Sequence, residues 1–192
     1  LHLFLENMQK YTYFQEYLSP YTNDDGLQRQ RAAVDVVQKK GNLQLFGATL
    51  RQDLHWGILH WDNELTLQAT TDKDAYPLPL FSAWTNLYIK FSIARVLHTE
   101  LGADMTFFTR YYAPAYSPVI GQFASQDTSE RIKIGGYPII NAYVNFHLKR
   151  TRFYVMATHV NYSHGSGRPF LVPHYPLNRL LLRLGISWNF IN

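Results

Sequence analysis

The chain has 192 residues, 18 Lys and Arg against 14 Asp and Glu, no Cys, 16% aromatic residues and only 17% charged ones. That length fits a single domain spanning 1–192. The formal charge of +4 is scattered, with no basic cluster interleaved with stacking aromatics, which argues against a nucleic-acid partner. No apolar run approaches the roughly 20 residues of a spanning helix. If the chain enters a membrane it must do so as a closed β-barrel, because every backbone polar group needs a partner in lipid.

In chain order, three weak β-type segments come first, roughly 1–17, 29–38 and 42–54. Stronger alternation follows. Leu59, Trp61, Leu65, Leu67 and Ala69 alternate with His60, Asp62, Glu64, Thr66 and Gln68, and Leu87, Ile89, Phe91 and Ile93 with Asn86, Tyr88, Lys90 and Ser92. From Leu101 to Tyr111 the odd positions are largely apolar, facing away from Asp104 and Arg110; from Pro138 to Leu148 the even positions are apolar, facing away from Asn141, Asn145 and His147. Such period-2 patterns predict strands with one greasy and one wet face. The stretch Arg152–Ser163 is less regular. In the last strand, 179–190, Leu180, Leu182, Leu184, Ile186, Trp188 and Phe190 oppose Arg179, Arg183, Gly185, Ser187 and Asn189. About nine strands result.

The joins fall into two kinds. Leu97–Thr99, Lys149–Thr151 and Leu54–Gly57 read as tight turns, whereas 71–83, 112–136 and 164–178 are long and rich in Pro, Gly, Ser and Tyr. Short and long joins alternate, which puts all long loops at one end, as in an outer-membrane barrel. The expected fold is therefore all-β, a transmembrane up-and-down antiparallel barrel. Aromatics near strand ends (Tyr111, Tyr154, Tyr162, Trp188, Phe190) suit interfacial girdles. The chain opens at Leu1 without an export signal. It is expected to be the C-terminal part of a larger barrel, its earlier strands and signal peptide lying outside this sequence.

Other motifs carry less. His159, His164 and His174 have no carboxylate or Cys at ligand spacing and read as loop surface, so neither a metal nor any other cofactor is expected. Asn23-Asp24-Asp25-Gly26 reads as a plain turn. Asn161-Tyr162-Ser163 matches a glycosylation acceptor by chance, and Gly165–Arg168 precedes no helix. Ser163, His159 and Asn161 do not make a triad, and no enzyme is expected.

Several stretches taken in order resemble the putative porin family of Bacteroidetes-type outer membranes. They are Gln52–Gly57 with Trp61-Asp62-Asn63, Tyr76–Pro79, Thr109–Pro118, Gly136-Tyr137-Pro138, Lys149–Phe153 with His159-Val160-Asn161, His174-Tyr175-Pro176 and Gly185–Phe190. The likeness runs from about residue 40 onward. It implies a single-chain outer-membrane barrel for passive diffusion, longer than this chain, and brings no catalytic residues.

With the apolar face toward lipid, Glu64, Lys90, Asp104, Arg110, Asn145 and Arg183 are the expected pore-lining residues, since Lys or Arg facing lipid at the midplane costs about 2–4 kcal/mol. Glu64, Lys90 and Asp104 are expected at similar depth. Trp188 and Phe190 are the expected C-terminal barrel-assembly signal. The expected partners are outer-membrane lipid, the barrel-assembly machinery through the last strand, and a partner chain or further residues at the open strand edge. Alternatives are the barrel end of an energised receptor, which needs an upstream plug, and a non-conducting structural barrel.

Overall fold

The computed structural model describes residues 1–162 and 169–190. Fourteen strands occur among them: β1 (His2–Met8), β2 (Thr12–Thr22), β3 (Gln28–Gln38), β4 (Leu43–Trp56), β5 (Leu59–Thr70), β6 (Phe81–Ile93), β7 (Leu97–Phe108), β8 (Ala115–Ser117), β9 (Gln122–Ala124), β10 (Ile139–Leu148), β11 (Thr151–Thr158), β12 (Phe170–Val172), β13 (Tyr175–Pro176) and β14 (Leu181–Trp188). Eight of them form one sheet in the order β1-β4-β5-β6-β7-β10-β11-β14, with every pairing antiparallel. The other six form three two-stranded hairpins inserted in the joins. The architecture is an up-and-down meander carrying its extra structure in its long connections. The described residues include no helix, hence none able to cross a membrane, which says nothing of a β-barrel.

The division of the joins follows the expectation. Gly57-Ile58, Ala94–Val96 and Lys149-Arg150 are tight turns at one end of the sheet. At the other end lie the joins 9–42, 71–80, 109–138 and 159–180. Two turns are displaced from where the sequence suggests: the one read at 54–57 is Gly57-Ile58, with Leu54–Trp56 still in β4, and the one read at 97–99 sits three residues earlier, at 94–96. Ala94 and Arg95 adopt φ of 51° and 62°, a left-handed conformation usually marked by Gly or Asn, and neither residue announces it.

The start of the chain differs more. The segment 1–17 is two strands, broken at Lys10 (φ 52°). β1 pairs with β4, whereas β2 turns through Asn23–Gly26 to pair with β3. Asn23 Oδ1 accepts the Leu27 N–H at 2.8 Å and Gly26 takes φ of 76°, a plain turn. The sheet thus has eight strands rather than nine. β1 and β14 form no ladder with each other among the described residues, as the open edge in the sequence reading anticipated.

Most buried residues lie at the long-join end, among them Leu43, Leu45, Ala75, Ala113, Ala115, Ala124, Ile134 and His159. There the joins hold one another. Lys39 pairs with Asp72, Arg131 Nη1 with Asp74 Oδ1 at 2.6 Å, and Ser125 Oγ donates to the Asp74 carbonyl at 2.9 Å. The β2–β3 hairpin is pinned by two backbone bonds of 2.8 Å, Glu16 N to Ser125 O and Ser125 N to Phe14 O. The Leu18 N–H adds a third, to Asp127 Oδ2 at 2.9 Å.

Candidate functional site

The register of the sheet sorts its side chains into two sets. One face carries Leu3, Leu5, Phe46, Leu50, Leu67, Leu87, Leu101, Met105, Phe107, Val144, Phe146, Val155, Leu182, Leu184 and Ile186. These are not packed inside: Leu182, Leu184 and Ile186 are 68–71% exposed, and Leu87 and Leu101 about half exposed. The other face carries Glu64, Asn86, Lys90, Asp104, Asn145 and Arg183, so the two sets face as their alternation implies.

Depth along the apolar face is ordered as well. Phe46, Phe81 and Phe107 lie toward the long-join end, and Phe91, Phe146, Phe153 and Trp188 toward the turn end, with mainly aliphatic residues between, interrupted by Gln52, Trp61, Asn63 and Thr85. Phe81 and Phe91 are ten residues apart on β6, about 33 Å along a strand. At the 35–45° tilt of barrel strands that is about 23–27 Å of depth, the height of a transmembrane apolar band. β4 to β7 and β10 have 10–14 residues, enough to span such a band. One polar group on this face is internally satisfied: Trp61 Nε1 donates to Thr85 Oγ1 (2.8 Å), which donates to Asn63 Oδ1 (2.7 Å).

Of the five aromatics expected as a girdle, Trp188 and Phe190 stack at 5.3 Å and are 60% and 81% exposed. Tyr111 and Tyr162 lie in joins beyond the strands. Tyr154 belongs to the polar face, its ring lying over Gly185 where a Cβ would collide with it. Gly102 makes room for two tyrosines: a Cβ there would stand 2.9 Å from the Tyr143 hydroxyl and 2.5 Å from the Tyr88 Cβ. Without it, Tyr143 crosses β7 to donate to Asn86 Oδ1 at 3.0 Å. An aromatic ring over a glycine covers bare backbone in a sheet, as Tyr154 does at Gly185 on the polar face.

The expected pore-lining residues fall as follows. Glu64 accepts from Arg51 Nε at 2.9 Å across the β4–β5 pair. Asp104 accepts from Asn141 Nδ2 at 2.9 Å, in a row running Asp62, Asn86, Asp104, Asn141. Lys90 faces Glu100, 3.8 Å away, and not Glu64 or Asp104. Its position on β6 is six residues from Trp84, the partner of Glu64, and four from Asn86, the partner of Asp104. Those steps are about 20 and 13 Å along the strand, so the three charges do share a face but not a depth. Asn145 donates to Glu100 Oε1 (3.3 Å) and accepts from Arg152 Nη2 (3.1 Å). Arg183 is exposed opposite Met156. Arg110 lies beyond the end of β7, in the 109–138 join, its side chain against Gly136.

That join and its neighbour fold back over the polar face. Gly135 abuts the Phe108 ring, and Gln68 and Thr70 of β5 share one recess with Lys73, Pro77, Arg110, Tyr112 and Lys133. Arg131 and Lys133 stack on Tyr112 at 4.1 and 5.0 Å.

His159, expected on the loop surface, is 2% exposed. Its Nε2 meets Tyr137 Oη at 3.0 Å and its Nδ1 the Asn178 carbonyl at 2.8 Å, so both ring nitrogens are engaged. Asn161 is equally committed, donating to the Pro138 carbonyl (2.7 Å) and accepting from the Ile140 N–H (3.1 Å). Both follow β11, which ends at Thr158 and not at 163. No group of three or more potential metal ligands occurs among the described residues. Ser163, His164 and Gly165–Arg168 lie outside the described residues.

No curated protein and no solved structure matches the chain. A family model described as Putative porin matches residues 1–192, the full length and not only the part after residue 40, and the protein belongs to that family.

Proposed function

We propose that the eight-stranded sheet is wall of a transmembrane β-barrel in the outer membrane of a Gram-negative bacterium, working as a channel for passive diffusion of small hydrophilic solutes. The observation that carries this reading is the two-sided sheet: an exposed apolar face bounded by aromatic rows about 23–27 Å apart, backed by a face of charged and amide side chains. A soluble sheet buries its apolar face against a second layer, and the described residues place no such layer against this one. In lipid the edges of β1 and β14 need partners, and further strands of the barrel supply them. Membership of the putative porin family agrees.

A non-conducting barrel is the second reading, favoured by the joins that cover part of the polar face at one end. Single-channel recording in planar bilayers decides between them. Stepwise ohmic conductance is the expected result; a stably inserted protein that passes no current contradicts the channel and leaves the membrane-embedded wall in place.

A further inference from the structure

The polar face changes character along its length. Its middle holds the carboxylates Asp62, Glu64 and Asp104, but at the turn end the register brings five donors into one unbroken row across five strands: Ser92, His98, His147, Arg152 and Ser187. They line a recess of about 790 Å³, with Arg150 of the β10–β11 turn and Asn189 at its rim. Three cations, Lys90, Arg150 and Arg152, face this recess against a single carboxylate, Glu100. That carboxylate is already occupied by Lys90 Nζ (3.8 Å) and Asn145 Nδ2 (3.3 Å).

The row itself has unused capacity. Ser92 Oγ and His98 Nδ1 lie 2.9 Å apart, and the His98 and His147 rings stand 6.4 Å from one another. Arg152 spends one N–H on Asn145, and neither Arg152 nor Arg150 has an acidic partner among the described residues. A guanidinium presents five donors in a rigid fork that matches tetrahedral and planar oxyanions. With strands about 4.8 Å apart, an anion seated on Arg152 reaches the flanking His147 and Ser187 at once.

We propose that this row is a subsite for phosphate-type oxyanions, free phosphate and phosphorylated small solutes, at the turn-end mouth of the channel. Its place on a solute path rests on the channel reading above; its capacity to bind does not. The carboxylate-lined middle disfavours anions, so the row holds them at one end only.

The test titrates inorganic phosphate into the protein refolded in detergent and reads heat, for the parent, Arg152→Gln, Arg152→Lys and, as a charge-matched control outside the sheet, Arg29→Gln. Saturable binding is expected in the parent and in Arg29→Gln. It should be about tenfold weaker in Arg152→Gln, the loss of one charge-assisted bidentate contact, with partial recovery in Arg152→Lys. Acetate and chloride should compete more weakly than sulfate. His147→Gln, which keeps the arginines, gives a second and milder loss should Arg152→Gln not refold. Absence of saturable binding, or equal affinity in Arg152→Gln and Arg29→Gln, overturns the subsite whether or not the protein conducts. Absence of conductance in bilayers overturns the channel and leaves the titration result standing.

Discussion

The two faces of the sheet are built from the same strands and answer to opposite rules. On one, large aliphatic and aromatic side chains stay exposed, and Trp61, Thr85 and Asn63 tie their polar atoms to one another. On the other, charges and amides meet across strands, the Tyr154 ring covers Gly185 and the Tyr143 hydroxyl passes over Gly102. Elsewhere the apolar side of a sheet is where the core sits; here the packed residues gather at the long-join end. On the proposed reading the solvent for the apolar face is hydrocarbon, and the cost of a substitution then depends on the face before it depends on burial.

The sharpest break is a charge on the wrong side. Leu87→Arg, near mid-depth on the apolar face, should lower folding stability in lipid by about 2–4 kcal/mol, whereas Thr106→Arg on the polar face should stay within about 1 kcal/mol. Equilibrium unfolding from vesicles compares them, and equal costs would erase the distinction between the faces. Next in size is Thr85→Val, which keeps the shape but leaves the Trp61 indole N–H without its acceptor in an apolar setting; about 1–3 kcal/mol should be lost. An unchanged stability would mean that water reaches this face.

Acid acts away from both faces, on the joins. Lys39 beside Asp72 holds that carboxyl below the usual carboxylate range, with the Ala75 and Asp74 N–H groups assisting. The Asp127 carboxyl is likewise lowered, first by the Ser129 N–H and hydroxyl and then by Leu18 N–H. Groups with lowered folded values stabilise above their unfolded value of about 4 and lose that contribution as pH falls through the folded one. Limited proteolysis of the joins should therefore accelerate below about pH 4 while the sheet persists, and Asp72→Asn should shrink that acid response. The smallest effect on stability is that of Lys90→Glu, which faces Glu100 and turns a neutral pair acidic. Reversal potentials under a salt gradient should move toward cation selectivity; identical values for parent and variant would reduce Lys90 to wall filler.

Much of the wall was legible because alternation is local: β4 to β7, β10 and β14 need only their own side chains to declare two faces. Register is not local, and this is where the reading failed. Glu64, Lys90 and Asp104 share a face by parity, but their depths depend on where β5, β6 and β7 align, which the unmarked turn at Ala94 and Arg95 shifts. Tyr154 looked like a girdle residue because strand-end aromatics suit an interface; parity alone, carried through Arg152 and Met156, places it on the wet face. The phenylalanine rows were visible as residues and invisible as rows. β2 and β3 alternate only weakly, with Tyr13 and Phe14 or Tyr17 and Leu18 side by side, and nothing in their composition tells a hairpin standing off the sheet from one within it. His159 was misjudged because its partners, Tyr137 and Asn178, come from two different joins.

The face assignment itself is open to direct measurement, and the chain has no cysteine to interfere. Single cysteines placed in turn from Thr99 to Phe107 on β7, spin-labelled in liposomes, report their access to apolar oxygen and to a water-soluble relaxation agent. Odd positions, with Leu101, Ala103 and Met105, should favour oxygen, and even positions, with Glu100, Gly102 and Asp104, the aqueous agent, in strict alternation. Alternation of the opposite phase, or equal aqueous access at every position, would contradict a wall with lipid on one side and water on the other.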